Sequence, residues 1–363
     1  MTQEFRNNTM IFVPLWFLGG VAFLCGITIG SFLNAVIYRL PKGLSLLEPR
    51  FSICPHCRHR LGALDLIPLF SFLILRCRCR YCGKPIAWRY FGVELLTGVL
   101  FTLVVLRFME EGALICLALL AYTAVLIPVF FIDLATFTIP DTLNILLFCI
   151  PIGLELVEWG RHATIHPFVG GWLPVSIWGA VIGTLLFGSI RILGWLWKGV
   201  EAMGLGDVLL GRGMGAMLAL QVTHSENPLR LLPVWVVLSC LAGLIVGPVL
   251  IYLRRHRSSN HQEELALAEG EQDGEHVSPA GYLLHEVWAI VWCLILGDLW
   301  AYLGDLWKRW RGEKVVQENP AAEDWVPAPT AIPFGPFLVI GFFLTLFWGN
   351  ALVNAYLAYA FSR

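Results

Sequence analysis

Two aspartates, Asp133 and Asp207, lie at the ends of strongly apolar segments, where an ionisable side chain is costly. Such a residue against a bilayer usually faces the protein interior and serves a function. Two carboxylates that come together can share one proton, so that one acts as a base and the other as an acid. The base can activate a water molecule while the acid protonates a carbonyl oxygen. The pair therefore predicts an aspartic peptidase that works in a membrane.

The chain after Asp133 carries a residue that stops helices. Pro140 has no N–H, so it is expected to end a helix and to open the backbone near the membrane surface. Pro140 and the following Asp141 are candidate supporting residues of the site. Other interpretations stay open: Asp141 could cap a helix over 142–159, and Asp133 could be a helix cap or pair with a loop arginine.

Asp207 ends a Gly-x-Gly-Asp sequence that contains Gly204 and Gly206. Because glycine has no side chain, both positions would allow a helix or an extended substrate to approach closely. The tetrapeptide alone is weak evidence. Its place at the mouth of an apolar segment, with a second aspartate in a similar place, makes it specific, and both glycines are candidate supporting residues.

Four cysteines form two Cys-x2-Cys pairs that are separated by 21 residues: Cys54, Cys57, Cys79 and Cys82. Two such pairs can present four thiolates tetrahedrally to Zn²⁺. The surrounding stretch is basic and is expected to be cytoplasmic and reducing, which favours metal binding over disulfides. A loop of about 50 residues has little core, so a structural metal would help it to fold. The alternative is a set of free thiols.

The composition predicts the architecture that must hold these residues. Of 363 residues, 57% are hydrophobic and 14% are charged, whereas a soluble domain carries about 25% charged residues. The chain is therefore predicted to be an all-α polytopic membrane protein. Since a span needs about 20 apolar residues, about eight transmembrane helices are expected. They cover 11–38, 91–107, 112–132, 142–159, 168–197, 208–224, 230–253 and 333–360.

Positive charge predicts the orientation of these spans. The stretch 39–90 is rich in Lys and Arg and should be cytoplasmic. Alternation of the spans then places Asp133 and Asp207 on the same, cytoplasmic side. The first span is too long for a signal peptide and is expected to remain. Arg212 lies inside the predicted span 208–224 and argues against it, although snorkelling could place its head group near an interface.

The predicted organisation has five parts, of which the fourth interrupts the membrane pattern. They are a first transmembrane helix over 1–38, a cytoplasmic zinc-knuckle domain over 39–90, a transmembrane peptidase core over 91–253, an insertion over 254–331 and a C-terminal transmembrane helix over 332–363. In the insertion, an acidic linker precedes a Trp-rich segment that contains Glu286, Asp298 and Asp305. We expect this segment to be an amphipathic helix at the cytoplasmic interface, with a true span as the alternative.

A series of short motifs occurs in order along the chain. They are Gly30-Ser31-Phe32-Leu33-Asn34 through Arg39-Leu40-Pro41, Cys54-Pro55-His56-Cys57, Asp65-Leu66-Ile67-Pro68, Cys79-Arg80-Tyr81-Cys82, Arg89-Tyr90 through Val93-Glu94, Asp133 to Ile139-Pro140-Asp141, Met203-Gly204-Leu205-Gly206-Asp207 and Ile332-Pro333-Phe334-Gly335-Pro336-Phe337-Leu338. With these motifs the chain resembles the prepilin peptidases, also called type IV leader peptidases, of the bifunctional peptidase and N-methyltransferase kind. The resemblance covers most of 20–253 and 332–350.

The resemblance implies a multi-pass protein of the bacterial inner membrane with its active site on the cytoplasmic side. Such an enzyme removes the basic leader of prepilins and pseudopilins, then methylates the new N-terminus with S-adenosylmethionine. The family's two catalytic aspartates match Asp133 and Asp207. The zinc-knuckle loop would serve methylation, and pilus or secretion assembly components are possible partners. The loop arginines are assigned to orientation and anionic lipid rather than to nucleic acid.

Three positions depart from the family pattern. Leu209 stands where a lysine is common, which would weaken the electrostatic support of Asp207. Cys77 stands in place of a glycine and Phe91 in place of a proline. These two departures leave the peptidase prediction unchanged and bear on methylation.

Glu94, just inside the second span, is the candidate residue for binding the substrate amine or the methyl donor. The alternative is an acid that is stabilised by the N-terminal end of its helix dipole. The sequence has no dinucleotide-type glycine motif that would define a cofactor pocket.

Two other functions compete with the enzyme. The first is a non-catalytic, zinc-containing membrane scaffold of a secretion or pilus assembly system, in which the aspartates are structural caps. The second is a transporter, which fits poorly because the acids lie at span ends and no inverted repeat is visible.

Overall fold

A computed structural model describes residues 14–46, 51–54, 56–160, 174–198, 203–220, 229–258, 279–294, 297–311 and 332–361. The helices are α1 (Leu15–Arg39), α2 (Phe70–Ile74), α3 (Trp88–Phe108), α4 (Ala113–Thr136), α5 (Asp141–Gly160), α6 (Val175–Lys198), α7 (Leu205–Leu220), α8 (Leu231–Ser258), α9 (Pro279–Leu294), α10 (Gly297–Trp310) and α11 (Gly335–Phe361). Two isolated β-bridges lie in the cysteine loop between α1 and α3. The predicted all-α architecture is confirmed.

Helices form in all eight runs that were predicted to span a membrane. Among the described residues, six helices are long and apolar enough to cross one: α1, α3, α4, α6, α8 and α11. The helices α5 and α7 are not in this group; α7 is described over the 16 residues Leu205–Leu220. The Trp-rich segment forms two helices, α9 and α10, and this pair, bent by 72°, would make a seventh span. The acidic linker before it lies outside the described residues.

The chain forms two compact units, and the first covers Met1–Pro128. In this unit α1 packs so closely along α3 that the two backbones are nearly in contact. A Cβ built on Gly26 would lie 2.7 Å from the Cα of Gly98. The Asn34 side-chain amide donates to the carbonyl of Tyr90, at 3.0 Å. Because the cysteine loop connects α1 with α3, this packing holds the two ends of the loop together.

The second unit covers Val129–Arg363 and carries both aspartates. Its helix α7 packs on α6 through paired glycines. A Cβ built on Gly183 would overlap the carbonyl oxygen of Gly211, and one on Gly215 would overlap that of Gly179. Small residues spaced by four allow transmembrane helices to approach this closely. Asp207, in the first turn of α7, is therefore carried by a helix that has little freedom to shift.

Buried polar contacts join the other helices of this unit. The Glu155 carboxylate in α5 accepts hydrogen bonds from the backbone N–H groups of Val175 (2.6 Å) and Ser176 (3.0 Å) at the start of α6. A carboxylate there satisfies N–H groups that have no partner within the helix. The Trp235 indole of α8 donates to the carbonyl of Leu338 in α11, at 3.1 Å. These bonds join α5 to α6 and α8 to α11.

Candidate active site and metal centre

Asp133 lies in the last turn of α4 and is 3% exposed. The helix ends at Thr136, after which Phe137 adopts a left-handed backbone with φ of 57°. The Phe137 N–H donates to the Asp133 carbonyl at 2.9 Å. A negative charge is unfavourable at a helix C-terminus, and this position excludes the N-cap role that the sequence left open. Helix stability therefore does not explain why an aspartate is here.

Asp207 lies in the first turn of α7 and is partly buried. Its backbone N–H donates to the Gly204 carbonyl at 3.2 Å, and the Gly204 backbone is hydrogen bonded to its carboxylate. A Cβ on Gly204 would lie 3.8 Å from the Asp207 carboxylate, and one on Gly206 would lie 3.5 Å from Ile139. Both are ordinary contact distances. The two glycines line the site, but close packing does not require them.

A third element, the start of α11, lies against both carboxylates. A Cβ built on Gly335 would overlap Oδ2 of Asp133 and would lie 3.4 Å from Oδ1 of Asp207. The two carboxylates are thus neighbours, and each feels the charge of the other. Gly335 is buried, and no larger residue fits there without moving a carboxylate. The sequence contained Gly335 only within a motif of the family resemblance, and nothing in its neighbourhood along the chain pointed to Asp133.

The segment around Pro140 lies next to the Gly-x-Gly-Asp turn. Pro140 ends the interruption between α4 and α5, and its carbonyl accepts from the Leu143 N–H at 2.9 Å. Asp141, which the sequence offered as the cap of a helix over 142–159, is the first residue of α5 and so lies one position after the N-cap position. The side chain of Ile139 packs at Gly206. The segment that contains Ile139 and Pro140 is therefore in contact with the turn that contains Gly206.

The electrostatics of this arrangement favour one charged and one neutral carboxyl group. The helices α7 and α11 both begin beside the pair, and the positive end of a helix dipole stabilises a nearby anion. Two carboxylates in contact cannot easily both be charged, so one retains a proton. The site can therefore supply a base and an acid at the same time.

The four cysteines of the two Cys-x2-Cys pairs converge in the first unit, and their Sγ atoms all lie within 4.8 Å of one another. Those of Cys54 and Cys82 are 4.0 Å apart. Four sulfurs at about 2.3 Å from a tetrahedral zinc ion would be about 3.8 Å apart. The cluster fits zinc with small adjustments.

Each knuckle is a tight turn built in the same way. The Arg58 N–H donates to the Cys54 carbonyl and the Gly83 N–H to the Cys79 carbonyl, both at 2.9 Å. Arg58 and Gly83 have left-handed φ values of 56° and 69°. Burial would raise the pKa of the Cys54 thiol, but hydrogen bonds from the knuckle backbone and neighbouring thiols lower it to about 7. A thiolate is the form that binds a metal.

Asp65 joins the segment between the knuckles to the second knuckle. Its carboxylate pairs with Arg80 Nε at 2.7 Å and accepts from the Tyr81 hydroxyl at 3.0 Å and the Gly62 N–H at 3.1 Å. Burial opposes the charged form, yet these partners hold the pKa of Asp65 below its usual range. Asp65 therefore acts as a structural anchor of the cysteine cluster.

Glu94 lies in α3 and is 9% exposed. Its carboxylate accepts a hydrogen bond from the Leu69 N–H at 2.8 Å. Leu69 has a left-handed φ of 62°, and it directly precedes α2 in the cysteine loop. Glu94 thus anchors the loop to α3, a role that sequence reasoning missed. Its predicted contact with the substrate amine or methyl donor stays a prediction.

The three departures from the family pattern have distinct surroundings. Leu209 is buried in α7, at 5% exposure. Cys77 has a left-handed φ of 62°, which explains why glycine suits this position. The ring of Phe91 packs against those of Phe72 and Trp88, with centroids 5.5 and 6.0 Å apart.

Comparison with known families gives two adjacent matches. Residues 24–108 match the bacterial peptidase A24 N-terminal domain, and residues 120–248 match the type IV leader peptidase family. Both aspartates and all four cysteines lie within these ranges. The helices α9, α10 and α11 lie beyond them.

Several curated proteins named prepilin leader peptidase/N-methyltransferase are similar to this chain. The protein of Myxococcus xanthus (strain DK1622) is 31% identical over 329 residues, covering 88% of this chain and 86% of its own. That of Aeromonas hydrophila is 36% identical, covering 67% and 85%. That of Klebsiella pneumoniae is 37% identical, covering 57% and 87%. No solved structure showed a significant match.

Proposed function

Because the chain belongs to the type IV leader peptidase family, we propose that it is a membrane aspartic endopeptidase that removes the basic leader of prepilins or pseudopilins. Asp133 and Asp207 are its catalytic pair. The observation that carries this assignment is the position of Gly335 against both carboxylates, which makes them neighbours beside the starts of α7 and α11. Similar proteins are named as enzymes, so a non-catalytic scaffold is not favoured.

The proposed mechanism uses the shared proton of the pair. The ionised carboxylate takes a proton from a water molecule, whose oxygen attacks the scissile carbonyl carbon. The protonated carboxyl group donates its proton to the carbonyl oxygen. When the resulting tetrahedral species collapses, the carboxyl group that gained the water proton passes it to the leaving amine, and the other carboxylate takes a proton back from a hydroxyl group on the tetrahedral carbon. The pair thereby returns to its starting protonation.

The cytoplasmic placement of this site is part of the proposal. It rests on the basic stretch 39–90, because positively charged loops stay in the cytoplasm. A basic leader stays on the same side for the same reason, so its cleavage site would meet the pair there. Labelling of a cysteine introduced at Thr138, an exposed residue between Asp133 and Pro140, with reagents added to one side of sealed vesicles, tests the side on which the pair lies.

Substitution of either aspartate tests the catalytic pair. Asp133→Asn and Asp207→Asn should each abolish cleavage of a co-expressed prepilin, because asparagine cannot exchange a proton, while the protein still accumulates in the membrane. Asp305→Asn is the matched control, since its side chain is half exposed and pairs only weakly with Lys308 at 3.6 Å. Mass spectrometry of the substrate reports the cleavage position. Cleavage that persists in either asparagine variant would refute the assignment.

We further propose that Cys54, Cys57, Cys79 and Cys82 hold a structural zinc ion. The support is the convergence of their thiols and the anchoring of the knuckles by Asp65. Zinc would stabilise a loop whose described part has little regular structure. Metal analysis of the purified protein tests this.

The second proposed activity is methylation of the new N-terminus, for which S-adenosylmethionine supplies the methyl group. Glu94 is the proposed residue for the substrate amine or the methyl donor. Glu94→Gln keeps an acceptor for the Leu69 N–H but loses the charge, so methylation should fall while cleavage persists. Glu94→Ala should in addition loosen the loop. Mass spectrometry of a pre-cleaved peptide measures this, and unchanged methylation by Glu94→Gln would remove Glu94 from the methylation site.

A further inference from the structure

Arg212 lies in the interior of α7 and its side chain is 2% exposed, so its head group is buried in the protein rather than placed at an interface by snorkelling. Its guanidinium plane lies over the ring of Phe148, with 4.5 Å between Cζ and the ring centroid. A cation in such a place requires a partner, because a buried charge that is left without one is strongly destabilising.

The partner comes from the insertion. Arg212 makes two parallel hydrogen bonds to the Asp298 carboxylate in α10, at 2.9 and 2.6 Å, and a third to the Cys293 carbonyl in α9, at 2.9 Å. The Asp298 side chain is 13% exposed. Two parallel bonds fix both distance and orientation, which makes this pairing specific. Ile290 of α9 also packs at Gly188 of α6.

The pair joins the insertion to the helix that carries Asp207. Arg212 lies on the same helix, five positions further along. Asp298 also feels the charge of Asp141, the first residue of α5. The insertion is therefore packed against the middle of α7, which carries Asp207, and lies close to the start of α5, which follows Asp133, although both family matches end before it.

We propose that Asp298 is a positioning residue of the peptidase: by neutralising Arg212 inside α7, it holds that helix, and with it Asp207, in the arrangement that meets Asp133. This inference rests on the proposed peptidase function. It also gives the insertion a role within this chain, because the insertion would supply a residue that holds α7 in place.

The test compares single and double variants of the full-length protein on a prepilin-like peptide. Asp298→Ala should lower kcat by about 100-fold, the effect of displacing a catalytic group by about 1 Å, with KM changed less than kcat. Asp298→Glu should retain most activity because it keeps the charge. In Arg212→Leu/Asp298→Leu both charges are gone, so activity should return to within about tenfold of wild type. Loss of packing alone would make the double variant at least as poor as the single one.

Asp305→Ala is the control, because it removes an acid from an exposed position of the same helix. If Asp298→Ala accumulates and cleaves like wild type, the proposal is overturned. If Asp298→Ala is degraded, the double variant decides: recovery of protein and cleavage supports the proposal, and failure of both overturns it. Failure of the proposed function would give a different result: either the wild-type protein would not cleave the peptide, or the Asp207→Asn variant would still cleave it.

Discussion

Gly335→Ala is the most direct test of the geometry of the carboxylate pair. It adds one methyl group at the buried point where α11 meets Asp133 and Asp207. That methyl group would overlap Oδ2 of Asp133, whereas its distance of 3.4 Å from Oδ1 of Asp207 is tolerable. Because the obstructing atom is the end of a side chain, the protein can fold by moving the Asp133 carboxylate.

The size of this movement sets the expected loss. Carbon and oxygen atoms that are not bonded prefer about 3.5 Å, so Oδ2 of Asp133 must retreat by about 1 Å. A misplacement of that size costs a catalytic group about 100-fold in rate, or about 2.7 kcal/mol of transition-state stabilisation. The stability cost should be at the lower end of the range of about 1–3 kcal/mol for overpacking. Activity should therefore fall much further than stability.

Steady-state cleavage of a prepilin-like peptide by the purified protein measures the effect. We expect kcat to fall about 100-fold, with KM and the amount of membrane protein nearly unchanged. Gly153→Ala is the matched control, because this glycine also lies in a helix of the second unit and a Cβ there meets nothing within 4 Å. A wild-type kcat for Gly335→Ala, in an assay where Asp133→Asn is inactive, would refute the proposed arrangement of the pair.

Three further predictions concern the metal centre and the helix packing. A Cys54→Ser/Cys79→Ser variant should purify without the zinc of the wild type, and zinc should leave the wild type as the pH falls, because protons compete for the thiolates; equal metal content in both proteins would remove the site. Cys77→Gly should raise the unfolding midpoint, since a left-handed φ costs a non-glycine residue about 1–2 kcal/mol and glycine loses about 0.5–1 kcal/mol more in backbone freedom; a lower midpoint would contradict this. Gly183→Val should lower both the midpoint and cleavage by forcing α6 away from α7, whereas Gly92→Val, where a Cβ has open space, should have a smaller effect.

The sequence predicted the helices and the convergence of the four cysteines well because their signals are local. Apolar runs of sufficient length gave helices in all eight predicted places. The spacing of Cys54, Cys57, Cys79 and Cys82 sufficed to predict a cluster that the structure brings together. The pairing of Asp133 with Asp207 was predicted from span counting and from the family resemblance. The structure adds the direct observation that both meet one residue.

The sequence could not give the contacts that hold the site in place. Gly335 lies 202 and 128 positions after the two aspartates, and a glycine next to a proline is unremarkable in a linker or at a helix start. The emphasis instead fell on Gly204 and Gly206, where the structure leaves ordinary space. A glycine is required only where other atoms occupy the space that a Cβ would need, and which atoms lie there depends on the fold.

Arg212 and Asp298 show the same limit for charges. Along the chain each was a separate anomaly: an arginine that weakened a predicted span, and an acid that argued against a span in the insertion. The structure explains both residues together, because the Arg212 guanidinium and the Asp298 carboxylate form one buried ion pair. A buried pair of this kind is weak evidence for stability, since apolar residues of similar size often serve as well. It is better evidence for a fixed mutual position, because two parallel hydrogen bonds tolerate little displacement. The pair therefore implies that α10 and α7 keep one relative placement, which matters most if Asp207, in the first turn of α7, is catalytic as proposed.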